Sequence, residues 1–343
     1  MWIAALAWDA RGYEVVCVHT GGGGLTPWRV GAGQVDRLIA RLKDLAASGG
    51  EEVAAVVEST NGLLDGPLLA AGLPVFRADP WLLPRRPHDA SVGAGDLARH
   101  ALASQDALVR LTTRTGTLAG RAGEMERHIE ECAPAERELA RRGLYVRRGP
   151  ASAPKVALTF DDGPCPPYTG EILDVLRVHQ VPATFFCVGL HADAHPEVLE
   201  RIAAQGHHIG NHTWSHPYLP DLTRAELDFQ IDATNRAVRR VTGTEPRLLR
   251  PPYGSRTPEV LRWLADRGMT TVLWDNDPCD WAVPGAEAIA GAVVEQTRNG
   301  SIVLMHDGGG DRSQTVAALP GIIGQLAARG HEFVTADEIA TSL

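Results

Sequence analysis

The stretch KVALTFDDGP, residues 155–164, decides the fold, because it reads as a buried strand that ends in a polar turn. A mostly apolar run leads into Asp161 and Asp162, and Gly163 and Pro164 then stop the strand. Two like charges at the end of a buried strand are costly unless something neutralises or uses them. Consecutive side chains at a strand end point in different directions, so the two aspartates can have different roles.

The chain after this strand alternates short apolar runs with helical patterns. We expect strands at 183–187, 208–210, 247–250, 271–274, 301–305 and 332–334, and helices at 169–179, 196–205, 223–241, 257–267, 285–298 and 314–328. About seven such β/α units predict an α/β fold in the form of a distorted (β/α)7-type parallel barrel.

The chain before this strand predicts a separate α/β domain. Its expected elements are strands at 3–8 and 13–19 joined by the turn 9–12, a helix at 33–48, a strand at 53–57, a helix at 62–71, a strand at 74–77 and helical structure over 96–142. The stretch Arg141–Pro154 is rich in charge, Gly, Ser and Pro. We therefore predict an N-terminal domain over 1–146 and a barrel domain over 152–343.

Composition and charge exclude several classes of protein. The net charge of −9 argues against a nucleic-acid partner. No run of 18 apolar residues exists, so no membrane span is expected. The start MWIAALAWDARGYEV lacks a basic region and reaches an acid after eight residues, which argues against a secretory signal. Five scattered cysteines fit a reducing compartment, so we expect a cytoplasmic protein.

Polar, ionisable clusters follow five of the predicted strands. They comprise 161–162, 210–216, 249–254, 274–281 and 303–307. Because functional residues of a parallel barrel lie at the carboxyl ends of its strands, we expect these clusters to meet at one site.

The residue types in these clusters suit hydrolysis. His212 and His216 stand four apart, and with one aspartate of the pair they could form a two-histidine, one-carboxylate metal site. The other aspartate could take a proton from water, with Arg250 keeping it ionised. His306 could protonate the leaving group, oriented by Asp280 or Asp277.

The segment 152–343 resembles the polysaccharide deacetylase family, carbohydrate esterase family 4, which shares the NodB homology domain. The motifs that carry the resemblance are TFDDGP (159–164), VPATFFCVG (181–189), HTWSH (212–216), RPPYG (250–254), DPCDW (277–281) and LMHD (304–307). Pro278 and Cys279 inside DPCDW depart from the family pattern and alter the wall of the cleft.

The resemblance implies a role for each matching residue. Asp161 would be the catalytic base, tethered by Arg250, and His306 the general acid, assisted by Asp280. The backbone N–H of Tyr253 would stabilise the oxyanion. A divalent ion, usually zinc, would be held by Asp162, His212 and His216. The pocket for the acetyl methyl group would be walled by Trp281 and Leu304.

The N-terminal segment 1–110 resembles, weakly, the RNase H-like N-terminal domain of IS110-type transposases. The resemblance rests on Asp9, Glu58 and Asp96, but glycines stand where a second late carboxylate is expected. We therefore expect a non-catalytic domain that shapes the cleft or mediates a homodimer.

The leading hypothesis is a metal-dependent amide hydrolase that removes an N-acetyl group from an amino sugar, in an oligosaccharide or a small glycosylated metabolite. One alternative is hydrolysis of another linear or cyclic amide or imide on the same barrel. Another, of a different class, is a catalytically silent carbohydrate-binding or scaffold protein.

Overall fold

The structure is a computed structural model that describes residues 1–9 and 11–342. Its residues group into two compact units. The first comprises Met1–Glu126 and Ser215–Gln230, and the second comprises Arg127–Trp214 and the chain from Ile231 onward. The division into 1–146 and 152–343 drawn from the sequence stays a prediction. The predicted turn at 9–12 includes Ala10, which lies outside the described residues.

The first unit is built on a mixed sheet. Its strands are β1 Trp2–Asp9, β2 Gly12–His19, β3 Trp28–Val30, β4 Val53–Glu58, β5 Val75–Ala78 and β6 Val109–Arg110. Its helices are α1 Val35–Gly49, α2 Asp65–Ala70 and α3 Ala94–Ala103, and α4 Ala122–Arg141 begins in this unit. The strand order is β3-β2-β1-β4-β5-β6, with β1, β4 and β5 parallel to one another. The RNase H-like assignment of this unit stays a prediction.

The prediction of helical structure over 96–142 is wrong between α3 and α4. Residues 104–121 contain short 3-10 turns and strand β6, which pairs antiparallel with β5. The local sequence Thr112-Thr113-Arg114-Thr115 explains the break, because hydroxyl side chains compete for hydrogen bonds that a helix needs. The amides of Thr112 and Thr115 each donate a hydrogen bond to the hydroxyl oxygen of the other residue at 3.3 Å.

The second unit is a curled parallel sheet with helices. Its strands are β7 Tyr145–Val146, β8 Lys155–Asp161, β9 Thr184–Cys187, β10 His208–Asn211, β11 Leu248–Leu249, β12 Thr270–Val272, β13 Ser301–His306 and β14 Glu332–Val334. Its helices are α5 Tyr168–His179, α6 Gly189–Ala194, α7 Pro196–Ala204, α8 Arg224–Thr242, α9 Pro258–Asp266, α10 Ala286–Gln296, α11 Ser313–Ala328 and α12 Ala336–Thr341, of which α8 begins in the first unit.

The strand order of this sheet confirms the predicted barrel. Seven strands follow one another as β13-β8-β9-β10-β11-β12-β7, and β14 pairs with β8. An isolated parallel bridge joins Asn276 to Val303, so the chain after β12 reaches β13 and curls the sheet toward closure. The result is a seven-stranded parallel half-barrel. Its strand β7 falls in the stretch Arg141–Pro154, where the domain boundary was predicted, and pairs with β12.

The core of the half-barrel explains why its strands read as apolar runs. Strand β8 is buried along almost its whole length because it pairs with β9, β13 and β14. Ala157, Phe186, Val272 and Ile302 from four strands pack in one cluster. Strands of a parallel sheet that are covered on both faces lose the apolar–polar alternation of a half-exposed strand. None of the helices in the described part of the chain is both long and apolar enough to cross a bilayer.

His207 links the stability of the half-barrel to pH. Its Nδ1 accepts a hydrogen bond from the Ala183 amide at 3.2 Å, and burial lowers its pKa to about 4. Because the unfolded chain binds this proton near pH 6.5, the stabilisation is complete above that pH and is lost as pH falls toward 4. We expect the difference in Tm between wild type and His207→Gln to shrink from pH 7 to pH 5. Exposed His179→Gln is the control, and an equal trend in both variants would contradict the assignment.

Candidate active site

The end of β8 delivers both aspartates to the carboxyl edge of the sheet. Asp161 is the last residue of β8 and pairs in register with His306 of β13 and Phe186 of β9. Asp162 adopts a left-handed backbone conformation with φ of 79°, so the chain turns as soon as the strand ends. Both side chains are buried, Asp161 with 3% exposure. Burial of two adjacent carboxylates requires compensating partners for both.

The turn after Asp162 is fixed by Asp307, a residue that the sequence reasoning did not single out. Its carboxylate accepts hydrogen bonds from the Gly163 amide at 3.0 Å and from the Thr169 hydroxyl at 2.6 Å. Burial raises the pKa of Asp307 to about 7. A Cβ at Gly163 would lie 1.9 Å from the Asp307 Oδ2, so only glycine fits here. The sequence signal that could have identified Asp307 is its position directly after His306, at the end of a strand.

Asp162, His212 and His216 form a cluster that could hold a metal ion. One ligand atom from each lies within 4.8 Å of the others, and all three residues are buried. The Nδ1 of His212 donates to the Arg250 carbonyl oxygen at 2.7 Å, which leaves Nε2 as the ring atom with a lone pair. This Nε2 lies 3.4 Å from the Asp162 carboxylate. Two imidazoles and one carboxylate fit zinc, so the donor set agrees with the metal that the resemblance implies.

This cluster is the single group of its kind among residues 1–9 and 11–342. In the first unit, Asp9 pairs with Arg29 at 2.5 Å and Glu58 pairs with Arg86 at 3.0 Å. The strand-end carboxylates that carry the transposase resemblance are therefore paired with arginines. This pairing is compatible with the non-catalytic domain that we predict.

Arg250 holds Asp161 in place. Its Nη1 donates to the Asp161 carboxylate at 2.8 Å and to the Thr159 hydroxyl at 2.7 Å. Its remaining nitrogens donate to the carbonyl oxygens of Val272 and Leu273 at 3.3 Å. Burial lowers the pKa of this fully buried guanidinium, and the charge of Asp161 opposes the shift. Asp161 therefore has an arginine as its partner, whereas Asp162 lies with the two histidines.

His306 is oriented by Asp280. The Asp280 carboxylate lies 2.6 Å from His306 Nδ1 and accepts the His306 amide at 2.9 Å and the Thr315 hydroxyl at 2.7 Å. Burial opposes the imidazolium charge, but Asp280 outweighs it and raises the pKa of His306 to about 9. Asp277, the other candidate, accepts the Cys279 amide at 2.8 Å instead. Of the two aspartates proposed to orient His306, the structure places Asp280 against it.

The remaining predicted site residues occupy three separate strand-end segments. Tyr253 lies in a 3-10 turn, Pro252–Gly254, with a left-handed φ of 59°. Trp281 is 40% exposed and belongs to the turn Asp280–Ala282, directly after Cys279. Leu304 lies in β13 and is buried. A second residue missed from the sequence is His191, whose Nδ1 lies 2.6 Å from the Asp162 carbonyl oxygen.

These features together define a hydrolytic enzyme of the parallel-barrel class. Its carboxyl edge holds a metal-type donor set, a separate arginine-bound carboxylate and a histidine paired with an aspartate. Each is a component that amide or ester hydrolysis uses.

The chain belongs to the polysaccharide deacetylase family and is a hydrolase of carbon–nitrogen bonds. The family model described as polysaccharide deacetylase matches residues 148–272. A peptidoglycan-N-acetylglucosamine deacetylase of Bacillus cereus is 40% identical over 205 residues, which cover 59% of this chain and 96% of the relative. A chitooligosaccharide deacetylase of Sinorhizobium fredii is 44% identical over 200 residues, covering 54% and 93%.

Solved structures show the same likeness. A peptidoglycan N-acetylglucosamine deacetylase, crystallised with 4-naphthalen-1-yl-N-oxidanyl-benzamide, superposes with a TM-score of 0.58 at 36% identity. The alignment covers 60% of this chain and 97% of that chain. The predicted resemblance of the second half to carbohydrate esterase family 4 is thereby confirmed.

The contact between Gly163 and Asp307 predicts a severe effect of one methyl group. Gly163→Ala should lower the Tm by several degrees, because the new Cβ overlaps a buried carboxylate. Gly291→Ala in α10 is the matched control, since a Cβ there meets nothing within 4 Å. We expect the control to be neutral or stabilising by about 0.5–1 kcal/mol. Adding Asp307→Ala to Gly163→Ala should relieve the overlap and recover part of the lost Tm. Equal Tm values for Gly163→Ala and Gly291→Ala would contradict this account.

Proposed function

We propose that the chain removes the acetyl group from N-acetylglucosamine units of an oligosaccharide or polysaccharide, with zinc or another divalent ion as cofactor. One observation carries this proposal: an Asp-His-His donor set stands beside a second carboxylate that has an arginine as its partner. The names of the two relatives, which act on peptidoglycan and on chitooligosaccharides, support the substrate class. The products would be acetate and a free amine.

Asp162, His212 and His216 would hold the ion. When bound, it would supply Lewis acidity for the amide carbonyl and for water. The Arg250 carbonyl oxygen would keep His212 in the tautomer whose Nε2 can bind. Asp307 and the Gly163 turn would keep the Asp162 main chain in its left-handed conformation.

Asp161 would act as the general base. The Arg250 guanidinium fixes one of its carboxylate oxygens, Oδ1. The other oxygen, Oδ2, lies 3.6 Å from His212 Nε2 and thus beside the proposed metal site. This oxygen would take the proton from the attacking water.

His306 would act as the general acid. Asp280 holds its ring through Nδ1 and keeps it protonated at neutral pH, which leaves Nε2 to deliver a proton to the departing amine nitrogen. Transfer of this proton breaks the carbon–nitrogen bond without releasing an amide anion. The Tyr253 N–H would stabilise the oxyanion, and Leu304 and Trp281 would line the site of the acetyl methyl group.

Neither alternative is favoured by the comparisons. Hydrolysis of another amide or imide would use the same groups, so substrate trials must separate it from sugar deacetylation. A silent carbohydrate-binding protein would not need the intact acid, base and donor set. The homodimer through the N-terminal domain and the cytoplasmic location stay predictions.

Zinc binding and acetate release test the proposal directly. Wild type should bind about one zinc ion per chain and release acetate from chitooligosaccharides, and His212→Ala should lose the metal. Asp161→Asn should keep the metal yet lose about 10²–10⁴-fold in kcat. The exposed Asp174, which pairs with Arg201, offers Asp174→Asn as a control with unchanged turnover. Absence of zinc binding, or faster hydrolysis of small cyclic imides than of sugars, would contradict the proposal.

The pairing of Asp280 with His306 predicts a pH effect. Because Asp280 raises the pKa of His306 to about 9, the acid stays protonated to alkaline pH and activity falls above it. Asp280→Asn removes the charge that raises the pKa of His306, whereas burial still lowers it. The alkaline limb of kcat/KM should therefore move to lower pH. Asp277→Asn, in the same motif, should move it less. An unchanged alkaline limb in Asp280→Asn would remove His306 from the acid role.

A further inference from the structure

The segment Ser215–Gln230 overlaps a motif of the deacetylase family but groups with the first unit of the structure. It begins within the HTWSH motif and contains the proposed metal ligand His216, yet its residues group with Met1–Glu126. It then forms the 3-10 turn Leu219–Asp221 and the start of α8. The family match begins at residue 148, so Met1–Glu126 lies outside it.

The main chain next to the ligand is held from the first unit. The Gly62 amide donates to the Ser215 carbonyl oxygen at 2.9 Å. Gly62 is itself fixed, because its carbonyl oxygen accepts the buried Tyr13 hydroxyl at 3.0 Å. The Ser215 amide donates to the Gln230 side chain at 2.9 Å, and that side chain donates back to the Ser215 hydroxyl at 3.0 Å. Three hydrogen bonds therefore fix the residue that precedes His216.

His216 needs such support. Its φ is 55°, a left-handed conformation that is strained for a non-glycine residue. A residue keeps this conformation only where the surrounding structure imposes it. The hydrogen bonds on Ser215 act directly at that point of the chain.

A buried arginine holds the rest of the segment. Arg86 donates from Nε to Glu226 at 2.8 Å, from Nη1 to Glu58 at 3.0 Å and from Nη2 to the Asp221 carbonyl oxygen at 2.9 Å. Glu58 ends β4, whereas the other two acceptors belong to the segment. Burial opposes the charge of Arg86, but the three acids outweigh it and raise its pKa. Arg86 therefore ties the segment to the sheet of the first unit.

A second arginine strengthens this attachment. Arg121 donates to the Asp221 carboxylate at 2.6 Å and lies 3.5 Å from Asp79. Its guanidinium carbon lies 5.2 Å from the ring centre of Tyr218, two residues after His216. Both arginines have side chains that are at most 7% exposed, so solvent screens these ion pairs only weakly.

We propose that the first unit is a positioning device for the metal site, in which Gly62 and Arg86 hold the loop that presents His216. This inference rests on the proposed function, because it assumes that His216 binds the ion. Groups behind a metal ligand set its orientation, and their loss lowers metal affinity about 10–100-fold. The N-terminal unit thus contributes to the hydrolase site without supplying a metal ligand from residues 1–126.

Zinc affinity and amide exchange of the full chain test the inference without substrate. Arg86→Met should raise the zinc Kd about 10–100-fold and accelerate hydrogen exchange in peptides covering 215–223. Arg29→Met is the matched control. In the ion pairs described, Arg29 pairs with Asp9 and Glu14 of the same sheet and with no residue of Ser215–Gln230. The control should keep wild-type zinc affinity and exchange.

A second variant covers the case in which Arg86→Met fails to fold. Glu226→Gln keeps the side-chain shape and removes one carboxylate of the cluster, so it should raise the zinc Kd in the same direction by less. Wild-type zinc affinity and exchange in a folded Arg86→Met or Glu226→Gln variant would overturn the inference, as would an equal loss in Arg29→Met. A wild-type chain that binds no zinc would contradict the proposed function instead, so the two failures are distinguishable.

Discussion

The buried ion pair between Arg250 and Asp161 is the interaction on which the rest of the site depends. Strand β8 delivers two carboxylates to a place that water scarcely reaches, and one guanidinium can neutralise only one of them. Arg250 commits four of its five N–H donors to Asp161, Thr159 and two carbonyl oxygens, and its carboxylate partner is Asp161. The second carboxylate lies with His212 and His216 instead. The two adjacent aspartates therefore have different partners.

Most of the half-barrel could be predicted from sequence because its strands are buried on both faces. The apolar run that leads into Asp161 predicted a strand, and β8 is observed at Lys155–Asp161. The elements missed there are short: β7 has two residues and α6 and α12 have six each. Elements of this length do not complete enough turns or alternations to leave a periodic pattern. The candidate site residues could be proposed from the sequence because they lie at or near the ends of successive strands of the barrel.

The contacts that could not be predicted join residues far apart in the chain. Arg86 and Glu226 are 140 positions apart, and Gly163 and Asp307 are 144 apart. A long-range ion pair or amide–carboxylate contact leaves no periodic pattern, and each partner alone reads as a surface charge or a turn glycine. The break between α3 and α4 was missed for a different reason. Weak helix formers there, notably threonines, were outweighed in the prediction by the helical patterns on either side.

The hydrogen bond from Gly62 to Ser215 constrains how this protein can change through evolution. It connects a backbone amide outside the family match to a residue of the HTWSH motif. A replacement for Met1–Glu126 would have to present an amide at the same place and a guanidinium against Glu226. A replacement that lacked these groups would leave the Ser215 carbonyl oxygen and the Glu226 carboxylate without the partners described here. In this respect the first unit and the HTWSH motif form a matched pair, and the first unit is not an interchangeable module.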